Sequence, residues 1–166
     1  MRYLRIGGVF LIAFLIQPSL LNVISIHGYT PNLILCMTIL YTYLYEEDIY
    51  GVIFGALFGV LYDMMYSNVI GPMPISLVLV ATGIVVIREF TNIENIVNMW
   101  VVSVVSMLAY YFINWGLHHL AGNPVGFAVI FQQIPWIALY SLVIITVMYK
   151  IIIRRVIRHH RDRYVR

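Results

Sequence analysis

The chain has 166 residues, is 62% hydrophobic and only 10% charged, and carries a formal net charge of +3. Soluble domains carry about 25% charged residues, so there is too little polar surface here to clothe a water-soluble globule. The length suits one domain, and about six spans of about 20 residues consume nearly all of it, which leaves no room for a soluble catalytic domain or an ATPase module.

The apolar runs are continuous rather than alternating, which excludes an outer-membrane barrel and predicts helices. Span one is expected over about Ile6 to Ile26, with Gln17-Pro18 inside it. It follows Arg2 and Arg5 and lacks a small-x-small cleavage site, so it reads as a retained span rather than a signal peptide. His27 to Pro31 makes a tight turn. Span two, about Asn32 to Tyr45, stops at Glu46-Glu47-Asp48. Span three runs from about Ile49 to Tyr66, and the Gly71-Pro72-Met73-Pro74 segment breaks the chain before span four, about Ile75 to Ile87. Arg88 to Asn95 is polar. Span five covers about Ile96 to Leu120, Ala121 to Pro124 forms its exit turn, and span six runs from about Phe127 to Ile153. Spans two and four, at about 14 residues, are short for a ~30 Å hydrocarbon core, which leaves three explanations: extension into the flanking turn, locally thinned bilayer, or shielding by neighbouring helices.

With six spans, all ten Lys and Arg residues fall on one side. The positive-inside rule then places both termini in the cytoplasm. The expected organisation is a six-helix transmembrane domain, 1–153, and a basic cytoplasmic tail, 154–166. From Lys150 onward there are seven basic residues and one acid, Asp162. Lys150, Arg154, Arg155, Arg158 and Arg161 are therefore expected to contact anionic lipid or a cytoplasmic partner. Nucleic acid is not expected, because no folded domain presents the patch.

Span three holds the most informative pattern: Gly51, Gly55, Gly59 and Asp63 at four-residue intervals, near one helix stripe. Such a stripe lets another helix approach backbone to backbone, either within the chain or from a partner. Asp63 is the one acid clearly within an apolar span, and intramembrane acids normally face protein or water. It has three readings: a cap-like acceptor for the Ser67 to Met73 turn, a partner-binding group, or part of a polar cavity.

Catalytic readings lack their parts. Tyr62-Asp63 offers half of an intramembrane aspartyl protease site, without the second carboxylate that such chemistry needs. His118 and His119 have no serine nucleophile context, and adjacent histidines point about 100° apart on a helix, unlike an i, i+4 metal pair. Asn114, Gln132 and Gln133 suit interhelical hydrogen bonds, and Trp100, Trp115 and Trp136 suit span ends. The lone cysteine, Cys36, forms no internal disulfide and has no zinc-site companions. No enzyme activity, cofactor or metal is expected.

Taken together, the chain resembles the rod shape-determining protein MreD family of bacteria. The resemblance rests on size, on Tyr29-Thr30-Pro31-Asn32 at the entry to span two, and on the stretch from Gly51 to Gly71. There the glycine-rich span (Gly55, Gly59) leads into Leu61 and Asp63, then the turn glycine Gly71. Pro31 and Gly71 are its turn positions. It departs from the family at Asn32, where an acid commonly follows the proline, and at Pro72-Met73-Pro74. The resemblance implies a non-enzymatic inner-membrane scaffold of the cell-elongation machinery. The implied partners are MreC, MreB filaments directly or through MreC, and RodA with a class B penicillin-binding protein. The family also looks like the six-helix substrate-binding components of energy-coupling-factor vitamin transporters. That likeness supplies the alternative reading, a transporter subunit.

Overall fold

The computed structural model describes residues 2–23, 31–45, 49–122 and 126–164, with side chains described for 3–19, 31–45, 49–122, 126 and 132–153. The turn at 27–30, the acids at 46–48, residues 123–125 and the last two residues lie outside this description. Six α-helices follow one another, and the described residues contain no strand: α1 Arg2–Val23, α2 Leu33–Leu44, α3 Tyr50–Tyr66, α4 Pro72–Arg88, α5 Ile96–Leu120 and α6 Phe127–Tyr164.

Three boundaries differ from the sequence expectation, the first at α1, which begins at Arg2 rather than about Ile6. The break before span four is narrower, because α4 already begins at Pro72 and holds Pro72 and Pro74 in its first turn. The first N–H groups of a helix have no intrahelical partner, so proline sacrifices nothing there. At the other end, α6 does not stop at Ile153. It continues as helix to Tyr164, so the start of the basic tail extends the sixth helix.

Helix α2 is the axis of the bundle. All five other helices touch it, and each of its 12 residues is buried. At ~1.5 Å per residue it is only about 18 Å long, well short of a ~30 Å hydrocarbon core. Enclosure by protein removes that difficulty, since α2 has no lipid-facing side whose length must match a bilayer. Its open ends still need partners, because an unmet backbone group away from water is costly. At the N-terminus, the Leu33 N–H donates to Gln17 Oε1 of α1 at 2.7 Å, and the Leu35 N–H donates to the N-cap Asn32 Oδ1 at 3.0 Å. At the C-terminus, Arg88 Nη1 of α4 donates to the carbonyls of Thr42 and Tyr45, at 2.8 and 2.9 Å.

Aromatic rings fill the space between α1, α2 and α3. Phe10 of α1 lies 5.8 Å from Phe54, 5.9 Å from Phe58 and 5.9 Å from Tyr41, ring centre to ring centre. The outside is apolar as well: Leu11, Leu15, Leu57, Leu79, Val105, Leu139 and Val147 are all exposed. An exterior of this kind suits hydrocarbon rather than water. Both α5 and the Gln132–Ile153 stretch of α6 are long and apolar enough to cross a membrane.

Candidate functional site

The Gly51–Gly55–Gly59 stripe faces the chain's own helices. A Cβ added at Gly51 would lie 2.5 Å from Thr42 Oγ1 and 2.7 Å from the Thr42 nitrogen; one at Gly55 would lie 2.5 Å from Thr38 Oγ1. At Gly59 it would meet Pro74 Cα and Leu77 Cδ1 of α4, each at 3.0 Å. The seam is therefore filled by α2 over its first two glycines and by α4 at its third. Of the two uses expected for the stripe, packing within the chain is the geometry found, and a partner's helix finds no open groove there.

The two threonine contacts repeat one geometry. Where a side chain would stand, glycine directs a Cα–H toward a threonine hydroxyl oxygen, a contact common between closely packed helices. Thr38 also donates its hydroxyl to the Ile34 carbonyl at 2.9 Å. Thr42 Oγ1 has no hydrogen-bond partner among the described residues, so the Gly51 Cα–H is the group it faces.

Asp63 ends the stripe and is 3% exposed. Its Oδ2 accepts from the Gly71 N–H and the Met73 N–H, both at 3.0 Å. Gly71 is the N-cap residue of α4, at φ +119°, and has no side chain with which to cap. The carboxylate of α3 fills that role from outside the helix, and its charge is also favoured at the positive end of the α4 dipole. Of the three readings of Asp63, the cap-like acceptor is the one with this geometry.

Around the carboxylate lies a set of polar side chains from neighbouring helices. Tyr62 and Tyr110 are within electrostatic reach of Asp63. Asn32 Nδ2 donates to the Tyr110 hydroxyl at 3.3 Å. On α5, one turn further on, Asn114 Nδ2 reaches Ser76 Oγ at 3.5 Å. Tyr62 lies against Gln17, the residue that caps α2. Five helices thus meet through polar contacts at one end of the bundle, and most of these groups spend their capacity on one another or on backbone.

The opposite end has its own polar layer. Tyr43 of α2 and Tyr149 of α6 donate to the carbonyls of Asn92 and Ile93, at 3.2 and 2.7 Å. The loop between α4 and α5 is thereby drawn up beneath α2. Arg88, read from sequence only as a topology charge, points into this layer and caps α2. Lys150 is exposed; the side chains of Arg154, Arg155, Arg158 and Arg161 lie outside the described residues.

Sequence reasoning missed the caps of α2. Asn32 directly before an apolar run carried the N-cap signal, and Gln17 stood out as a polar residue deep in span one. Nothing local marks Arg88 as a partner for a helix more than 40 residues earlier. Pro31 lies at the buried entry to α2. His118 and His119 follow each other on the last turn of α5. Among the described residues no three of His, Cys, Asp and Glu come together as a metal site.

An all-helical bundle with an apolar exterior and two helices long and apolar enough to cross a membrane has the character of a membrane protein. The chain belongs to the rod shape-determining protein MreD family, whose model matches residues 2–157, nearly the whole length. That is a family of membrane-associated shape-determining proteins, and membership implies a role in rod shape determination. No curated protein and no solved structure gives a match, and the transporter reading gains no support.

Proposed function

We propose that the chain is a non-enzymatic inner-membrane scaffold of the bacterial cell-elongation complex, crossing the membrane six times with both termini in the cytoplasm. It binds MreC, lies above MreB filaments, and couples them to lateral peptidoglycan synthesis by RodA and a class B penicillin-binding protein. The observation that carries this reading is the family match across residues 2–157. Two features support it. The internal polar groups are engaged in holding the helices together, which suits a scaffold. The apolar outward faces of α1, α3, α5 and α6 leave surface for a partner's transmembrane helix, now that the glycine stripe is occupied.

The basic start of the tail extends α6 and favours contact with anionic lipid at the cytoplasmic face, at about 1 kcal/mol per residue near the surface. The decisive experiment depletes the protein in a rod-shaped host and purifies tagged protein with its companions. Loss of rod shape on depletion, restored by this chain, together with MreC in the purified complex, is the expected result. Normal rods after depletion, or a chain that retains neither MreC nor MreB, would refute the reading.

A further inference from the structure

The loop between α4 and α5 is held in place far more firmly than a connector requires. The Asn92 carbonyl accepts from the Tyr43 hydroxyl, from the Asn95 N–H at 3.2 Å and from Asn98 Nδ2 at 3.3 Å. Asn92 Oδ1 accepts from the Glu94 N–H at 2.9 Å, and Tyr149 fastens the next carbonyl. On this fixed frame Phe90 is 83% exposed. Glu89 and Glu94 are exposed beside it in sequence. A large apolar side chain, displayed on a pre-ordered loop between two acids, is not spent on the fold.

We propose that Phe90, flanked by Glu89 and Glu94, is a docking knob for a cytoplasmic protein that offers an apolar pocket with a basic rim. The proposal rests on the cytoplasmic placement of this loop given above. Charge decides between a protein and the lipid surface. The cytoplasmic leaflet is negatively charged, so sinking Phe90 into it would bring two carboxylates against anionic headgroups. A basic-rimmed pocket takes the ring and the acids together. Aromatic anchors in desolvated pockets carry a large share of interface energy, and a loop already ordered loses little freedom on docking.

The test uses the full chain in cells, with a photoreactive benzoylphenylalanine at position 90 and MreB as the candidate partner. A cross-link to MreB is expected, lost when Glu89→Lys and Glu94→Lys are combined. In parallel, Phe90→Trp protein is reconstituted with phosphatidylglycerol and phosphatidylethanolamine carrying brominated chains. The added indole should escape quenching, whereas a lipid-facing Val143→Trp control should be quenched. Quenching at position 90 equal to the control makes Phe90 a lipid anchor and overturns the proposal. A chain that co-purifies with MreB yet gives no cross-link from position 90, or one that survives charge reversal, overturns it while leaving the scaffold reading intact. A chain that assembles with neither MreC nor MreB removes the scaffold reading and this proposal together.

Discussion

Gly55 and Thr38 leave no room between them: a methyl group on the glycine would stand 2.5 Å from the threonine hydroxyl oxygen. Gly51 and Thr42 repeat the relationship one turn along, so α2 and α3 approach as closely as their backbones permit. Glycine inside a helix costs about 1 kcal/mol relative to alanine, and close packing against a wholly buried α2 offsets it.

Gly55→Leu should therefore separate α2 from α3, with a loss of at least the ~1–3 kcal/mol typical of overpacking. A lower melting temperature in detergent and poor yield of monodisperse protein are expected. Gly83→Leu is the control, because nothing lies within 4 Å of its Cβ position. If Gly55→Leu protein is as stable as Gly83→Leu, the seam does not hold the bundle.

Asp63→Ala leaves the Gly71 and Met73 N–H groups without their acceptor, at about 1–3 kcal/mol for a buried unpaired donor. Asp63→Asn keeps an amide oxygen for the pair and loses mainly the interaction of charge with the α4 dipole, worth about 0.3–1 kcal/mol. The stability order wild type, Asn, Ala is expected from thermal unfolding in detergent. Asn and Ala variants of equal stability would show that the carboxylate, not its acceptor geometry, matters.

Arg88→Ala strips two carbonyls at the end of α2 of a charged donor, a loss of about 1.5–3 kcal/mol per hydrogen bond. Hydrogen exchange should show faster opening at the C-terminal turn of α2, while the N-terminal turn, capped by Gln17 and Asn32, keeps its protection. Arg88→Lys should recover only part of this, since an ammonium lacks the planar fork of donors. Uniform exchange along α2 in both variants would contradict the capping role.

Topology has a direct readout. Cysteines placed singly at 28–30 and at 123–126 should react with a membrane-impermeant maleimide from outside intact cells. One at position 166 should react only after lysis. The native Cys36 is buried and gives a low background. External labelling at 166 would break the six-span arrangement.

Helix positions were legible from sequence because apolar runs separated by Gly, Pro and charge are a strong signal; Ile96–Leu120 follows from it to the residue. Asp63 and its turn were legible too, since an acid at the end of an apolar span has few ways to be satisfied. The occupant of the glycine stripe was not, because Gly-x-x-x-Gly says that something approaches closely without saying what. That depends on Thr38, Thr42 and Pro74, whose proximity to the stripe is created only by the fold. For the short second span the fold selects one of the three explanations open from sequence, shielding by neighbours, because every residue of α2 is buried in protein.

The enclosure of α2 also constrains how the protein is made. Its N-terminal donor needs Gln17 from the helix before it, and its C-terminal carbonyls need Arg88, synthesised more than 40 residues later. An 18 Å helix with bare carbonyls is a poor resident of lipid, so α2 on its own lacks both the length and the end partners that the folded bundle supplies. Its two ends are satisfied only when α1 and α4 are both in place, so α2, though second in the chain, is completed no earlier than the fourth helix.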